Sequence, residues 1–351
     1  MTIPTRVEDL TAAWFSEALD ADISAVEVLD AHSGTTGRAR VRITTEASLP
    51  ETLFVKLQPF LPEQQEFVRM VGMGVSEARL YAAVGDDFPV RIPRVWHSSF
   101  DETDDAFIMV LEDLQASACR FPSAEDGDVI DVATALMDEL AALHAAYWQR
   151  DLSWLKPAAG YRNNAQGAKV ATQAADMMRS ALDQFADDMP PAFRQMGKLY
   201  VSRFADINAL YREGERTLVH GDSHIGNLFV DGDGRTGFYD WAVAGRLPGM
   251  RDIAYFLSNS LPTDTRRAGE DTLLARYRAG LAGCGISLDE RTAQDQYRLF
   301  SVYSWTGCTT TAAMGSRWQP IEIGYNAMVR TTEAIADLDA VGLLTERLGS
   351  R

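Results

Sequence analysis

Thr217-Leu-Val-His-Gly-Asp-Ser-His-Ile-Gly-Asn-Leu-Phe-Val230, followed by Phe238-Tyr-Asp-Trp241, is the stretch on which the fold turns. It sets out His220-x-Asp222-x4-Asn227 and then a further carboxylate at Asp240. Phosphoryl transfer from a nucleotide needs this set: one carboxylate to orient an attacking hydroxyl, then an amide and a second carboxylate to hold magnesium. Leu218 and Val219 precede the polar residues, Leu228, Phe229 and Val230 follow them, and Phe238 and Tyr239 precede Asp240. The polar groups therefore belong to a loop between buried strands.

The rest of the composition narrows the class. At 351 residues the chain can build one large domain or two lobes, each with a core. It is 46% apolar and 24% charged, as ordinary globular proteins are. A net charge of −17 argues against a nucleic-acid binder, which needs a basic face. Cys119, Cys284 and Cys308 are scattered, which suits reduced thiols and neither a disulfide framework nor a zinc site. No apolar run reaches the ~18 residues of a membrane span, and Met1–Leu10 lacks a signal-peptide core. A cytoplasmic protein with no nucleic-acid or membrane partner is expected. Oligomeric state is not readable.

Working outward from the loop, the first third reads as strands at 24–31, 38–45, 52–58, 94–99 and 106–112. A helical interlude at 63–84 divides around Gly72 and Gly74. Arg40, Arg42 and Thr44 alternate with Val41 and Ile43, the pattern of a strand with one solvated face. From residue 123 the pattern turns helical. Ser123 is a candidate cap for a helix with the stripe Leu136, Leu140, Leu143, Tyr147. Further helices are predicted at 165–187, 191–213, 251–260, 265–282, 289–313 and 320–344.

Several side chains stand out against this frame. Lys56 lies mid-strand among apolar residues, and burying an ammonium without a partner is costly. Glu77, on the following helix, is its natural partner, as in the nucleotide sites of kinases; a lysine snorkelling from an edge strand is the plainer alternative. Ser33-Gly-Thr-Thr-Gly-Arg38 occupies the place of a phosphate-covering loop, with Ser33, Gly34, Thr35 and Thr36 as candidate contacts, although a hairpin turn explains its glycines equally well. The backbone of Leu111, Glu112 and Leu114, on the connector that closes the first lobe, is the candidate adenine contact. His220-x-Asp222-x-His224 also admits a histidine metal cluster, but His32, His97 and His144 supply no ligand spacing. His220 reads as a loop support, Asp252 as an acidic residue at a helix start with a plausible supporting role, and His144 as a core histidine.

Lys56, Glu77 with Arg79 and Tyr81, Leu111-Glu-Asp-Leu114, Leu143-His144, Trp148, His220-Gly-Asp-x-His-x-x-Asn227, Tyr239-Asp-Trp241 and Asp252-Ile-Ala-Tyr-Phe256 together resemble the aminoglycoside phosphotransferase and choline kinase-like superfamily. The likeness is strongest to its ecdysteroid-kinase-like branch and related bacterial phosphotransferases. The resemblance implies an α+β, protein-kinase-like two-lobed fold: a small antiparallel β lobe with a helix (1–114) and a larger, mainly helical lobe (115–351). It implies ATP and magnesium as cofactors, Asp222 as catalytic base, Asn227 and Asp240 as magnesium ligands, and Lys56 as a phosphate contact.

The eleven residues between Asp240 and Asp252 are too few for a peptide-docking activation segment, so a small-molecule hydroxyl is the expected acceptor. Trp241, Tyr255, Tyr303, Trp305 and Trp318 are candidate pocket residues, or simply core. Between 300 and 330 the only acidic residue is Glu322, which speaks against a polycationic substrate. A kinase for a cationic aminoglycoside or choline-type substrate, and a nucleotide-binding pseudokinase or scaffold, are the alternatives.

Overall fold

The computed structural model describes residues 1–155, 165–315 and 321–349. Contacts divide the chain into two bodies, one made of Met1–Phe121, Leu152–Ala159 and Phe229–Ala244, the other of Pro122–Asp151, Gly160–Leu228 and Gly245–Arg351.

The first body is built on an antiparallel sheet of β1 (Ala25–Ser33), β2 (Gly37–Thr44), β3 (Thr52–Leu57), β4 (Val95–Asp101) and β5 (Ala106–Glu112), in the order β1-β2-β3-β5-β4. Period-two alternation puts Ala39, Val41, Ile43, Leu53, Val55 and Leu57 on one buried face. There they pack with Ile108, Val110 and helix α1 (Ala12–Leu19) through Trp14 and Phe15. Each buried Val, Leu, Ile and Phe of this set contributes roughly 1.5–3 kcal/mol by leaving water. Thr11, whose hydroxyl accepts the Trp14 N–H at 3.3 Å, caps α1. The sequence pattern did not reveal this helix.

The helical interlude is two helices, α2 (Pro62–Val71) and α3 (Met73–Ala83). Gly72 separates them at φ 71°, a conformation that glycine adopts without strain. Register then fixes the side chains of the opposite sheet face: Arg38 is paired with Lys56, and Lys56 with Met109. A short hairpin, β7 (Leu228–Val230) with β8 (Thr236–Phe238), carries the chain to Asp240.

In the second body, β6 (Thr217–Val219) pairs with β9 (Gly245–Leu247). The helices are α4 (Val129–Ala146), α5 (Ala165–Phe185), α6 (Pro191–Leu210), α7 (Met250–Ser260), α8 (Thr263–Gly283), α9 (Glu290–Ala313), α10 (Ile321–Asp337) and α11 (Ala340–Gly349). Leu136, Leu140 and Leu143 bury the predicted stripe of α4. That helix starts at Val129, however, and Ser123 instead closes a local turn, its hydroxyl accepting the Glu125 N–H. The stretch predicted as one helix over 320–344 is broken at Asp339, whose φ of 45° is left-handed. Residue 320 lies outside the described residues. Among those described, no helix is long and apolar enough to cross a membrane.

Candidate active site

In the first body, Lys56 donates to Glu77 Oε2 at 2.5 Å and to Asp240 Oδ1 at 3.2 Å. Glu77 is completely buried, and its Oε1 also accepts the Trp241 N–H at 3.1 Å. Burial pushes the Glu77 carboxyl up, and the adjacent ammonium only partly offsets this. The sequence paired Lys56 with Glu77. The structure adds that Glu77 fixes the backbone next to Asp240, a non-glycine residue held at φ 63°.

These groups border a cavity of about 480 Å³ whose lining includes Lys56, Leu111, Glu112, Leu114, Tyr239 and Asp240. Arg91 grips the Glu112 carboxylate at 2.8 and 2.7 Å, and the Arg94 N–H reaches it at 3.0 Å. Burial alone would raise this carboxyl; those donors hold it low. Glu112 thus uses its side chain to hold the connector, and its N–H donates to the Arg94 carbonyl at 2.8 Å. His32 and Arg38, on either side of the 33–37 turn, also line it. Within the turn, the Ser33 hydroxyl donates to Gln64 at 2.5 Å and accepts from the Phe60 N–H, Gly34 N–H meets the Thr36 carbonyl at 3.0 Å, and Thr36 is buried. Thr35, between them, is partly buried.

Arg40, which alternation assigned to a solvated face, lines this cavity together with Arg38. Arg40 forms a two-pronged pair with Asp113, at 3.0 and 2.9 Å, and Asp113 Oδ1 accepts the Gln115 N–H, which stiffens the connector. Only Arg42 behaves as expected, pairing at the surface with Glu27 and Glu51. Alternation shows which residues share a face, but not what covers that face. The signal that could have found Arg38 is its in-register partner, Lys56.

In the second body, the loop after β6 is organised by Asp252, which is fully buried at the start of α7. Its Oδ2 accepts the His220 N–H at 2.7 Å and lies 3.3 Å from His144 Nε2, while its Oδ1 accepts the Gly221 N–H at 2.8 Å. Burial would raise this carboxyl, but His144 leads the groups that hold it below the usual range. The helix dipole therefore does not suffice to explain Asp252: it is the loop's anchor. Gly221 sits at φ 88°, where a side chain would be strained. His144 is completely buried and also bonds Tyr277 Oη at 2.8 Å, as suits a core histidine.

The loop turns so that His220 Nδ1 accepts the Asp222 N–H at 3.2 Å, and the Ser260 hydroxyl accepts the Ile225 N–H at 2.9 Å. Asn227 Nδ2 donates to the Asp222 carbonyl at 2.8 Å and to its Oδ2 at 3.1 Å. His224 Nε2 stands 3.6 Å from that same Oδ2, and its Nδ1 accepts the Gly226 N–H at 3.1 Å. Burial alone would raise the Asp222 carboxyl, yet His224, His220 and the phenol of Tyr255 hold it well below the ordinary carboxylate range. Asp222 is therefore an ionised acceptor at any physiological pH. The contact from Tyr255 carries no local sequence signal. Trp241 and Trp305 are completely buried, Tyr255 and Tyr303 are half-buried, and Trp318 lies outside the described residues.

Each body keeps an oxygen group of the kind that a hard divalent cation takes. With its amide nitrogen committed to Asp222, Asn227 has Oδ1 as its remaining donor atom. Asp240 offers carboxylate oxygens that already attract cationic side chains. His144, His220 and His224 are occupied within the loop and core, and among the described residues no three His, Cys, Asp or Glu side chains cluster to hold a metal.

Residues 28–305 match the model of APH, the phosphotransferase enzyme family. The chain belongs to that family, whose members are small-molecule kinases. The choline kinase LicA from Streptococcus pneumoniae is similar in structure, with a TM-score of 0.54 at 15% identity over 94% of this chain and 99% of that one. A choline kinase from Cryptosporidium parvum gives a TM-score of 0.57 at 10% identity over 91% of each chain. An aminoglycoside 2'-phosphotransferase-IIIa, solved as its GDP complex, gives 0.52 at 14% identity over 92% of this chain and 99% of that one. The α+β kinase-like fold, an N-terminal five-stranded antiparallel sheet and a mainly helical C-terminal part, is common to them all. The chain matches no curated protein by sequence.

Proposed function

We propose that the protein transfers the γ-phosphoryl group of ATP to a hydroxyl of a small molecule, with magnesium as its cation. The carrying observation is Lys56 held between Glu77 and Asp240 at the wall of the 480 Å³ cavity. A kinase uses such a lysine to hold nucleotide phosphates. Leu111, Glu112 and Leu114 offer the adenine backbone contacts, and the turn at Ser33, Gly34, Thr35 and Thr36 covers the phosphates. Asp222, an ionised carboxylate, orients the acceptor hydroxyl and takes its proton as the phosphoryl group transfers. Asn227 and Asp240 bind magnesium, which supplies charge neutralisation on the phosphates.

The acceptor is a weakly polar alcohol and not an organic cation, in keeping with the resemblance to the ecdysteroid-kinase-like branch. Supporting this, Arg251 already stacks its guanidinium 4.0 Å from the centroid of Tyr303, beside Tyr255 and the Asp222 loop. An aromatic face that carries a cation is not offered to a second one. The test is ATP consumption with magnesium and a metabolite extract, with products identified by mass. A phosphorylated neutral alcohol is expected, whereas exclusive phosphorylation of choline or aminoglycosides overturns the acceptor class. Binding of ATP with no transfer to any acceptor would indicate a nucleotide-binding scaffold.

A further inference from the structure

Arg38 plays no part in the roles assigned so far. It stands directly opposite Lys56 across the β2–β3 ladder, so two cations face each other on the cavity side of the sheet. Like charges in that relation repel. Asp240 relieves them: its Oδ1 lies 3.2 Å from Lys56 Nζ and its Oδ2 3.4 Å from Arg38 Nη2.

The two cations are not held alike. Lys56 is 5% exposed and locked to Glu77 at 2.5 Å. The Arg38 side chain is 33% exposed, and its other bond, Nε to Thr36 Oγ1, is a long 3.4 Å. A guanidinium carries five N–H donors in a planar fork that matches phosphate oxygens, and among the described residues only Nε and Nη2 of Arg38 have partners.

We propose that Arg38 is both the counter-ion of Asp240 and a second phosphate-binding cation, leaving the carboxylate for the nucleotide's phosphates as the metal takes Asp240. The proposal rests on the nucleotide reading above. Arg38, Lys56, Glu77 and Asp240 together are neutral, two charges of each sign. A divalent cation arriving alone must compete with two resident cations for one carboxylate. Arriving with a polyphosphate, it brings the anion that Arg38 and Lys56 then bind. Metal and nucleotide are thereby made to bind together.

The test compares wild type with Arg38→Gln and Arg38→Lys by calorimetry with magnesium-ATP and with adenosine, and by electron paramagnetic resonance with Mn²⁺ alone. Loss of a charge-assisted phosphate bond should weaken ATP about tenfold to a hundredfold in Arg38→Gln, leave adenosine unchanged and tighten Mn²⁺ alone; Arg38→Lys should recover part of the ATP affinity. A purely structural role would weaken all three ligands together and overturns the proposal. So does unchanged ATP affinity, and so does Mn²⁺ binding that is unchanged or weaker. Wild type that binds neither ATP nor adenosine would defeat the nucleotide reading itself, an outcome distinct from a failure of Arg38 alone.

Discussion

Replacing Asp252 by asparagine tests whether one buried carboxylate shapes the loop that carries Asp222. In the wild type each oxygen accepts a backbone N–H, from His220 at 2.7 Å and Gly221 at 2.8 Å, in a site with no exposure to water. An amide keeps one acceptor but turns a donor toward the other N–H. One charge-assisted bond is lost and one buried donor is left without a partner, together about 3–5 kcal/mol. If the change acts locally, the His220 and Gly221 amides should exchange with solvent at least about a hundredfold faster, since each 1.4 kcal/mol is worth a factor of ten. Hydrogen-exchange mass spectrometry of a peptide spanning 217–228 reads this, and urea unfolding reads the global loss. Adenosine affinity should be untouched, because the cavity is lined by residues of the other body. Amides that exchange as slowly in the variant as in wild type would refute the anchoring role.

The pH dependence of the same comparison has a definite sign. The Asp252 carboxyl is depressed in the folded chain, so its stabilising contribution is complete above the unfolded value of about 3.9 and is lost as pH falls through the folded value. The stability gap between wild type and Asp252→Asn should be constant above about pH 5 and narrow below about pH 4; a gap that narrows between neutral pH and pH 5 would place the titration elsewhere. Asp222 is depressed as well, so turnover should show no acid limb from Asp222 above pH 5, and a limb there that moves upward in Tyr255→Phe would contradict this. Lys56→Ala should lower turnover by about 10²–10³-fold and weaken magnesium-ATP while sparing adenosine; unchanged kinetics would remove Lys56 from the site. Glu77→Gln should resemble Lys56→Ala in part, because Glu77 holds both Lys56 and the Trp241 N–H; steady-state kinetics in ATP are the check.

The parts of the structure legible in the sequence are those governed by local pattern. Alternation marks β2 and a short apolar run marks β5, and Lys56 with Glu77 follows from the cost of a lone ammonium in an apolar strand. Asp252 was only half legible: its charge at a helix start is visible, but its partners are backbone N–H groups 31 and 32 residues away, which carry no sequence signature. Arg40 was misassigned because its covering group, Asp113, lies 73 residues downstream, and nothing local ties Arg38 to Asp240, 202 residues on. The boundaries that failed were capping decisions. Ser123 precedes a turn instead of the helix, and Asp339 takes a left-handed conformation that splits α10 from α11 without a glycine to announce it.

The most direct measurement follows the γ-phosphoryl label of ATP into a small-molecule alcohol, with wild type and Asp222→Asn run side by side and ATP affinity measured for both. Wild type is expected to transfer the label in a magnesium-dependent way. Asp222→Asn should bind ATP equally well and transfer it about 10²–10⁴-fold more slowly, the range associated with a positioned general base. Transfer at the wild-type rate by Asp222→Asn, or no labelled product from wild type with any hydroxyl compound, would contradict the assignment of a phosphotransferase centred on Asp222.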